Sequence, residues 1–443
     1  MFRSCSTMYS YPGTFKPHGL TCYLHAKRET RLVTRTRHSK EMGPFPISVT
    51  SDAIRGRDLR VSEYLPRGSV VLRCLPLVMV PADTQLGLRC ASCLTQAPLT
   101  PCRHACDYSI CEYCKAQGRW DSVHMAGECV SLRHLWTLIG RRATGSETGA
   151  ADATNSDSGG VRMLIRLAYV RCTPLEAPAT CLEGDALCDQ PDSVTELLSH
   201  FEDLSEEQAE QAISMADMAK WCLLPCARMG RAALAEEAAR LWCNSFDIVE
   251  AESGKSIGEA LYPSIALAVN HSCTPNADFH WEEGNAGAMA LRTLSPIDKG
   301  EIVSIPYCCL FTPAAARRKH LKETYFFTCC CARCERGEGA PDVPGLARQA
   351  SLLAEALVAG ADSEARAAAA LASVASAAAL ENAVAPLVAA GADWARMVLA
   401  RARWWRLQAS WSAVDAEALV AELSWLLGNR HRFTQRVLSR CRA

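Results

Sequence analysis

The chain has 443 residues, 49% of them hydrophobic, and a formal net charge of −1. This is length enough for two or three domains with sizeable cores, while the near-neutral balance excludes a whole-chain electrostatic footprint for nucleic acid or an anionic membrane. With no secretion signal at its start, the count of 24 cysteines argues for thiolates that bind metal in a reducing compartment, against a disulfide framework.

Residues 1–47 read as a basic arm, since the eight Lys or Arg of the first 45 residues are set against only Glu29 and Glu41. A disordered tail and an organelle transit segment both match this Arg-rich, acid-poor composition, but a secretory leader needs an apolar core of about 7–15 residues that is absent. The most hydrophobic run, "VVLRCLPLVMV" from Val70, is too short for a membrane span and is interrupted by Arg73 and Pro76. A soluble protein of the cytoplasm, the nucleus or both is therefore expected. Residues 69–80 read as two short strands with a bend at Pro76.

A cysteine-rich block follows, with Cys90 and Cys93, Cys102 and Cys106, Cys111 and Cys114, then His124 and Cys129. Eight such ligands suffice for two tetrahedral zinc sites, because a C-x2-C turn brings two thiolates to bonding distance of one ion. His104 is an alternative to Cys106. Isolated cysteines such as Cys74, Cys172, Cys222 and Cys243 read as small buried apolar residues.

The stretch 141–160, "RRATGSETGAADATNSDSGG", has the composition of a flexible linker or insertion. From about 190 to 243 the pattern is helical, with Ser205 and Gln208 spaced as a capping box. Strand-like segments return at 288–294 and 301–307, separated by Ser295-Pro296 and Lys299-Gly300. Thr312-Pro313 reads as an N-cap followed by proline at the first helical position. Beyond about 345 an Ala/Leu/Trp-rich helical region has Leu419, Leu423 and Leu427 on one face and Gly428 as a helix stop. The "SGKS" at 253–256 lacks the upstream glycine of a phosphate loop.

Between these elements stands "LAVNHSCTPNADFHW", from Leu267. His271 and Cys273 are candidates for a nucleophile and base, a metal site, or parts of a site centred elsewhere; the first choice needs a third orienting group. Taken alone, Tyr307 at a strand end and the "YFF" from Tyr325 read more readily as ordinary core than as site residues.

The ordered succession "GRDLRV" (56–61), the cysteine block, "LYPSIALAVNHSCTPN", "LRTLSPIDKGEIVSIPY" and "RRKHLKETYFFTCCCARC" resembles SET-domain protein lysine methyltransferases of the SMYD type over roughly residues 50–335. The resemblance implies an α+β SET fold split by a MYND zinc finger and a helical insert, with a post-SET zinc segment and an all-helical C-terminal domain. The implied divisions are the arm to 47, the first part of SET at 48–89, the finger at 90–129, a linker at 130–160, the insert at 161–245, core SET at 246–310, post-SET at 311–336 and the helical domain at 345–443.

The implied activity is transfer of a methyl group from S-adenosylmethionine to lysine on a histone or other protein. Tyr307 takes the place of the catalytic tyrosine. Gly56, Arg57, Asn244, Asn270, His271 and Phe327 match cofactor-binding positions, and Phe246 and Tyr325 match the lysine channel. The family's interleaved finger groups Cys90, Cys93, Cys111 and Cys114 on one zinc and Cys102, Cys106, His124 and Cys129 on another, with Trp120 at the family's tryptophan. Cys273 joins Cys329, Cys331 and Cys334 around a third, and Cys330 is a spacer.

The implied finger partner is a proline-containing peptide. Nucleic acid is not expected there, since Arg103, Lys115 and Arg119 are outnumbered by Asp107, Glu112, Asp121 and Glu128. Neither a membrane partner nor an oligomer is expected. The chemistry suits the inventory: free lysine has a pKa of about 10.4, and an aromatic channel beside a sulfonium favours the neutral amine that must attack. Two departures from the family are Asp58, where a second glycine is usual, and one extra residue between Pro263 and Asn270. They sustain an alternative, a zinc-dependent scaffold without turnover that recruits protein partners.

Overall fold

The computed structural model of the chain describes residues 40–41, 45–52, 56–118, 120–140, 158–172, 187–188, 191–252, 254–310, 312–335, 377–429 and 431–442. Most of the basic arm, the Gly/Ser/Thr stretch at 141–157 and the alanine-rich part of the tail before 377 lie outside them.

The apolar run from Val70 forms two strands, Val70–Leu75 and Val78–Pro81, and the bend at Pro76 sends them into different sheets. The first pairs with Met289–Thr293, which pairs in turn with Ala277–Trp281. The second pairs with Ser256–Leu261, itself paired with Ser245–Val249. Both strands are covered on their two faces, which is why the run is almost continuously apolar instead of alternating. A third antiparallel sheet contains Ile47–Asp52 and Gly56–Val61. Leu59, Val61, Val71, Leu72, Leu291 and Val303 belong to one buried apolar cluster shared among these sheets.

The expected strand over 301–307 is reduced to Ser304–Ile305, which pairs in parallel with Asn270–His271. The Asn276 side chain takes the neighbouring backbone groups, donating to the Ile302 carbonyl at 2.8 Å and accepting from the Ser304 N–H at 2.9 Å. Residues 301–303 turn to the Gly56–Val61 strand, the Val303 N–H donating to the Leu59 carbonyl at 2.8 Å and the Val61 N–H to the Glu301 carbonyl at 3.2 Å.

The Ser205 capping box forms as read: its hydroxyl accepts from the Gln208 N–H at 3.2 Å and the Gln208 side chain accepts from the Ser205 N–H at 3.0 Å, opening helix Glu206–Cys222. Helix Gly159–Cys172 is buried from Val161 to Val170. The expected linker from 130 is corrected at its start, because helix Cys129–Leu138 buries Leu132, Leu135 and Trp136 on one face. The Thr312-Pro313 reading is corrected as well. Pro313 itself occupies the N-cap of helix Ala314–Tyr325, and the Thr312 hydroxyl turns back to the Cys309 carbonyl at 2.7 Å.

The C-terminal helices include 377–389, Arg396–Ala409, Ala413–Leu426 and Arg432–Arg442. Leu419, Leu423 and Leu427 lie in their common core. Gly428 follows with φ of +97°, and a Cβ there would meet the Arg292 guanidinium at 2.7 Å. Glycine thus both ends the helix and lets it approach the sheet. Trp404 donates to Glu252 at 3.0 Å and Arg67 pairs with Asp393 at 2.8 Å across the same junction. No helix among the described residues is long and apolar enough to cross a membrane.

Gly258 seats the cysteine-rich block against the sheet, since a Cβ on it would lie 2.4 Å from the Val80 carbonyl oxygen and 2.8 Å from a Leu94 methyl. Neither backbone nor buried branched side chain can yield freely. We expect Gly258→Ala to destabilise the fold by about 1–3 kcal/mol, measured as a lower urea midpoint with unchanged slope. An unaltered midpoint would show that this close packing is not required.

Candidate functional site

Three groups of ligand atoms converge, each with all its members within 4.8 Å of one another: Cys90, Cys93, Cys111 and Cys114; Cys102, Cys106, His124 and Cys129; Cys273, Cys329, Cys331 and Cys334. Local backbone explains the first two. Leu94 sits at φ +59°, closing the turn after Cys90, and Ala105 and Asp107 at φ +51° and +64° flank Cys106. Cys111 is the N-cap of a short helix, its sulfur accepting from the Cys114 N–H at 3.5 Å.

Sulfur separations of 3.8 Å for Cys93–Cys111, 3.6 Å for Cys102–Cys129, 3.9 Å for Cys273–Cys329 and 3.5 Å for Cys273–Cys334 match the ~3.8 Å edge of a tetrahedron of thiolates about 2.3 Å from zinc. They are far too long for disulfides. All three clusters could hold zinc. Cys106 lies in its cluster, whereas the exposed His104 accepts from its neighbour Arg103 at 3.1 Å. Cys330 is exposed and outside the third group. Of the isolated cysteines, Cys74, Cys222 and Cys243 are buried, but Cys172, at a helix end, is exposed.

Most of the residues that support these ligands were not visible in the sequence. The His124 Nε2 faces Cys102 and Cys106 at 3.4 Å each, while its Nδ1 meets the Glu128 carboxylate at 2.9 Å. Glu128 is fully buried and receives Arg166 Nε at 2.6 Å and Nη2 at 3.1 Å. Burial alone would raise its carboxyl, but Arg166 and His124 overcome that and hold it down at about 2. A carboxylate behind a ligating imidazole fixes both tautomer and ring orientation. Trp120 packs on the same ring, centroids 3.9 Å apart. In the third group Arg317, fully buried, donates from Nε to Cys273 at 3.2 Å and from Nη2 to Cys334 at 3.7 Å. Arg333 ties the Cys273 carbonyl at 3.1 Å to the Leu310 carbonyl at 2.9 Å.

Beside that group the chain crosses itself. Ser272 N–H donates to the Ile305 carbonyl at 3.1 Å, and the Tyr307 N–H donates to His271 Nδ1 at 2.9 Å. Nδ1 is therefore an acceptor, and the remaining hydrogen is on Nε2, facing the Cys273 sulfur at 3.3 Å. Burial, with Arg317 nearby, lowers the His271 pKa to about 3, so the ring is neutral and structural in this arrangement. Tyr307 donates its hydroxyl to the Val269 carbonyl at 2.5 Å, and burial raises its phenol well above the ordinary value. Its ring centroid is 5.0 Å from Tyr325, 5.5 Å from His271 and 6.4 Å from Phe327. Asn270 reaches to the strand Gly56–Val61, its Nδ2 donating to the Arg57 carbonyl at 2.7 Å and to Asp58 Oδ1 at 2.8 Å. Gly56, at φ +77°, opens that strand with nothing among the described residues within 4 Å of its Cβ direction, which leaves the backbone there approachable.

Two further expected site residues have well-defined neighbours. Phe246 packs edge-on against Phe279 at 5.1 Å and Tyr262 at 5.8 Å. The Asn244 amide is engaged by the Leu198 and Arg240 carbonyls at 2.9 and 2.8 Å. Among the supporting residues only Glu128 left a sequence signal, four positions after His124 on one helical face. Arg166, Arg317 and Arg333 meet partners too distant in sequence for any spacing rule.

The protein is expected to carry about three zinc ions per chain by elemental analysis, and chelation should lower its melting temperature. Glu128→Gln should weaken zinc retention on the order of 10- to 100-fold, measured by competition with a chromogenic chelator. Absence of metal from freshly purified protein would refute the assignment.

The SET domain family model matches residues 56–308. Histone-lysine N-methyltransferase ASHR1 of Arabidopsis thaliana is 28% identical over 285 residues, 63% of this chain and 53% of the relative. N-lysine methyltransferase SMYD2-B of Xenopus laevis is 27% identical over 290 residues, covering 65% and 60%. Histone-lysine N-methyltransferase SMYD3 of Homo sapiens is 26% identical over 312 residues, covering 68% and 64%. The chain thus spans between about half and two thirds of the length of these relatives. The matched region, more than half of this chain, runs from the strand opened by Gly56 to Cys308 and includes both limbs of the crossing: the chain belongs to the SET domain family.

Proposed function

We propose that this protein is an S-adenosylmethionine-dependent protein-lysine N-methyltransferase. The observation that carries the proposal is the convergence at the crossing, where Tyr307, Tyr325, Phe327 and His271 gather beside Asn270 and the open end of the Gly56 strand. Lysine methyltransferases among the relatives support the same reading. The donor set suits the cofactor: backbone and amide groups for its polar ends, ring faces for its sulfonium. On this reading Gly56, Arg57, Asn244, Asn270, His271 and Phe327 hold it, and Phe246 and Tyr325 shape the lysine channel. Residues 90–129 are then the MYND-type finger, offering its surface to a proline-containing peptide, and 311–336 the post-SET segment.

When bound, S-adenosylmethionine supplies an electrophilic methyl group on a sulfonium. The chain's own contribution is to present a neutral amine in line with it. Aromatic walls exclude water and disfavour the ammonium form of the substrate lysine. Tyr307, kept protonated by burial and with its hydrogen committed to Val269, offers an oxygen lone pair that orients an incoming N–H. Much of the rate is then positioning, and no general base among the side chains is needed.

Calorimetry on zinc-replete protein should detect S-adenosylmethionine binding in the micromolar range. Tyr307→Phe should stay folded and retain that binding while losing turnover on the order of 100-fold. A lack of cofactor binding by the zinc-replete wild type would defeat the proposal.

A further inference from the structure

Asp58 is a buried carboxylate, 1% exposed, on the strand that faces the crossing. Arg60 is its nearest cation at 3.9 Å, but that guanidinium is already held by the Gly300 carbonyl at 2.7 Å and Thr50 at 3.2 Å. The direct partner of Asp58 is Asn270, whose Nδ2 donates to Asp58 Oδ1 at 2.8 Å and to the Arg57 carbonyl at 2.7 Å. A carboxamide nitrogen has two hydrogens, and these two acceptors consume both. Turning the amide over would set its oxygen against two acceptors, so the orientation is determined by its surroundings.

One polar atom of Asn270 is left to meet a ligand: Oδ1, to which no hydrogen bond is made among the described residues. It can only accept. We propose that Asp58 is a positioning residue of the cofactor site, locking the Asn270 carboxamide so that its oxygen receives the ammonium of the cofactor's amino-acid end. The inference rests on the methyltransferase reading above. The buried carboxylate also adds a negative field that favours a cation there. Without an acceptor at position 58, one Nδ2 hydrogen is released and the Arg57 carbonyl alone is left to hold the amide's orientation. The opposing view is that a carboxylate at this position repels the carboxylate of the same amino-acid end. The two views predict opposite signs when Asp58 is removed.

The test is calorimetry of the zinc-loaded full chain with two probes, S-adenosylhomocysteine and 5′-methylthioadenosine, which lacks the amino-acid end. Asp58→Ala should bind S-adenosylhomocysteine roughly tenfold more weakly and 5′-methylthioadenosine as the wild type does. Asp58→Asn, which keeps an acceptor oxygen for Asn270 without the charge, should recover to within about threefold. Equal or tighter binding of S-adenosylhomocysteine by Asp58→Ala overturns the inference while leaving the methyltransferase reading intact. So does an equal loss for both probes with a lowered melting temperature, which would mark a structural role, or an Asp58→Asn variant as weak as Asp58→Ala. A wild type that binds neither probe overturns this inference and the proposed function together.

Discussion

The parallel pairing of Asn270–His271 with Ser304–Ile305 is the constraint on which the rest of the site depends. Two residues on each limb are too few to hold two distant segments together by backbone hydrogen bonds alone. The crossing is secured from its sides instead. Asn276 occupies the backbone groups of 302 and 304, His271 accepts from the Tyr307 N–H, and Cys273 meets Cys329 and Cys334 from the far end of the chain. Each contact orients a group beside the crossing, so the short ladder is the frame for the aromatic cluster.

Buried charge has the same job in two places. Glu128 and Arg166 sit behind His124, and Arg317 and Arg333 sit behind the third cysteine group. An unpaired charge at these depths would be strongly destabilising. Here each one is spread over several partners, so burial sharpens orientation. Arg166 also reaches the carbonyls of Met79 and Ala91, joining the second cysteine group to the strand Val78–Pro81 and to the first. The cysteine-rich block is thereby continuous with the sheet core.

The sequence was most informative where chemistry is local. C-x2-C spacings, the Ser205 capping box and the Pro76 bend depend on residues a few positions apart, and their geometry is set by bond lengths and turn conformations. Thr312 shows the limit even at short range: its hydroxyl was read as a cap, but a carbonyl three residues earlier was the better-placed partner. The strand expected at 301–307 is divided for a long-range reason: 301–303 bond to the Gly56–Val61 strand and 304–305 to Asn270–His271, with the Asn276 side chain between them. Phe246 and Asn244 were placed by resemblance, and in the fold each is committed to neighbours of its own.

What the sequence determined by itself was the inventory: ligand types in metal-binding spacing, the alternation of sheet and helix, and the motifs on both limbs of the crossing. Tertiary structure alone decided which sulfur faces which, that Asp58 turns inward to Asn270 instead of projecting freely, and that Glu128, Arg166 and Arg317 stand behind the ligands. The reason is physical. Spacing controls what neighbouring residues on one turn can reach, whereas a hydrogen bond between residues 38 or 212 positions apart exists only after apolar burial has brought their elements together.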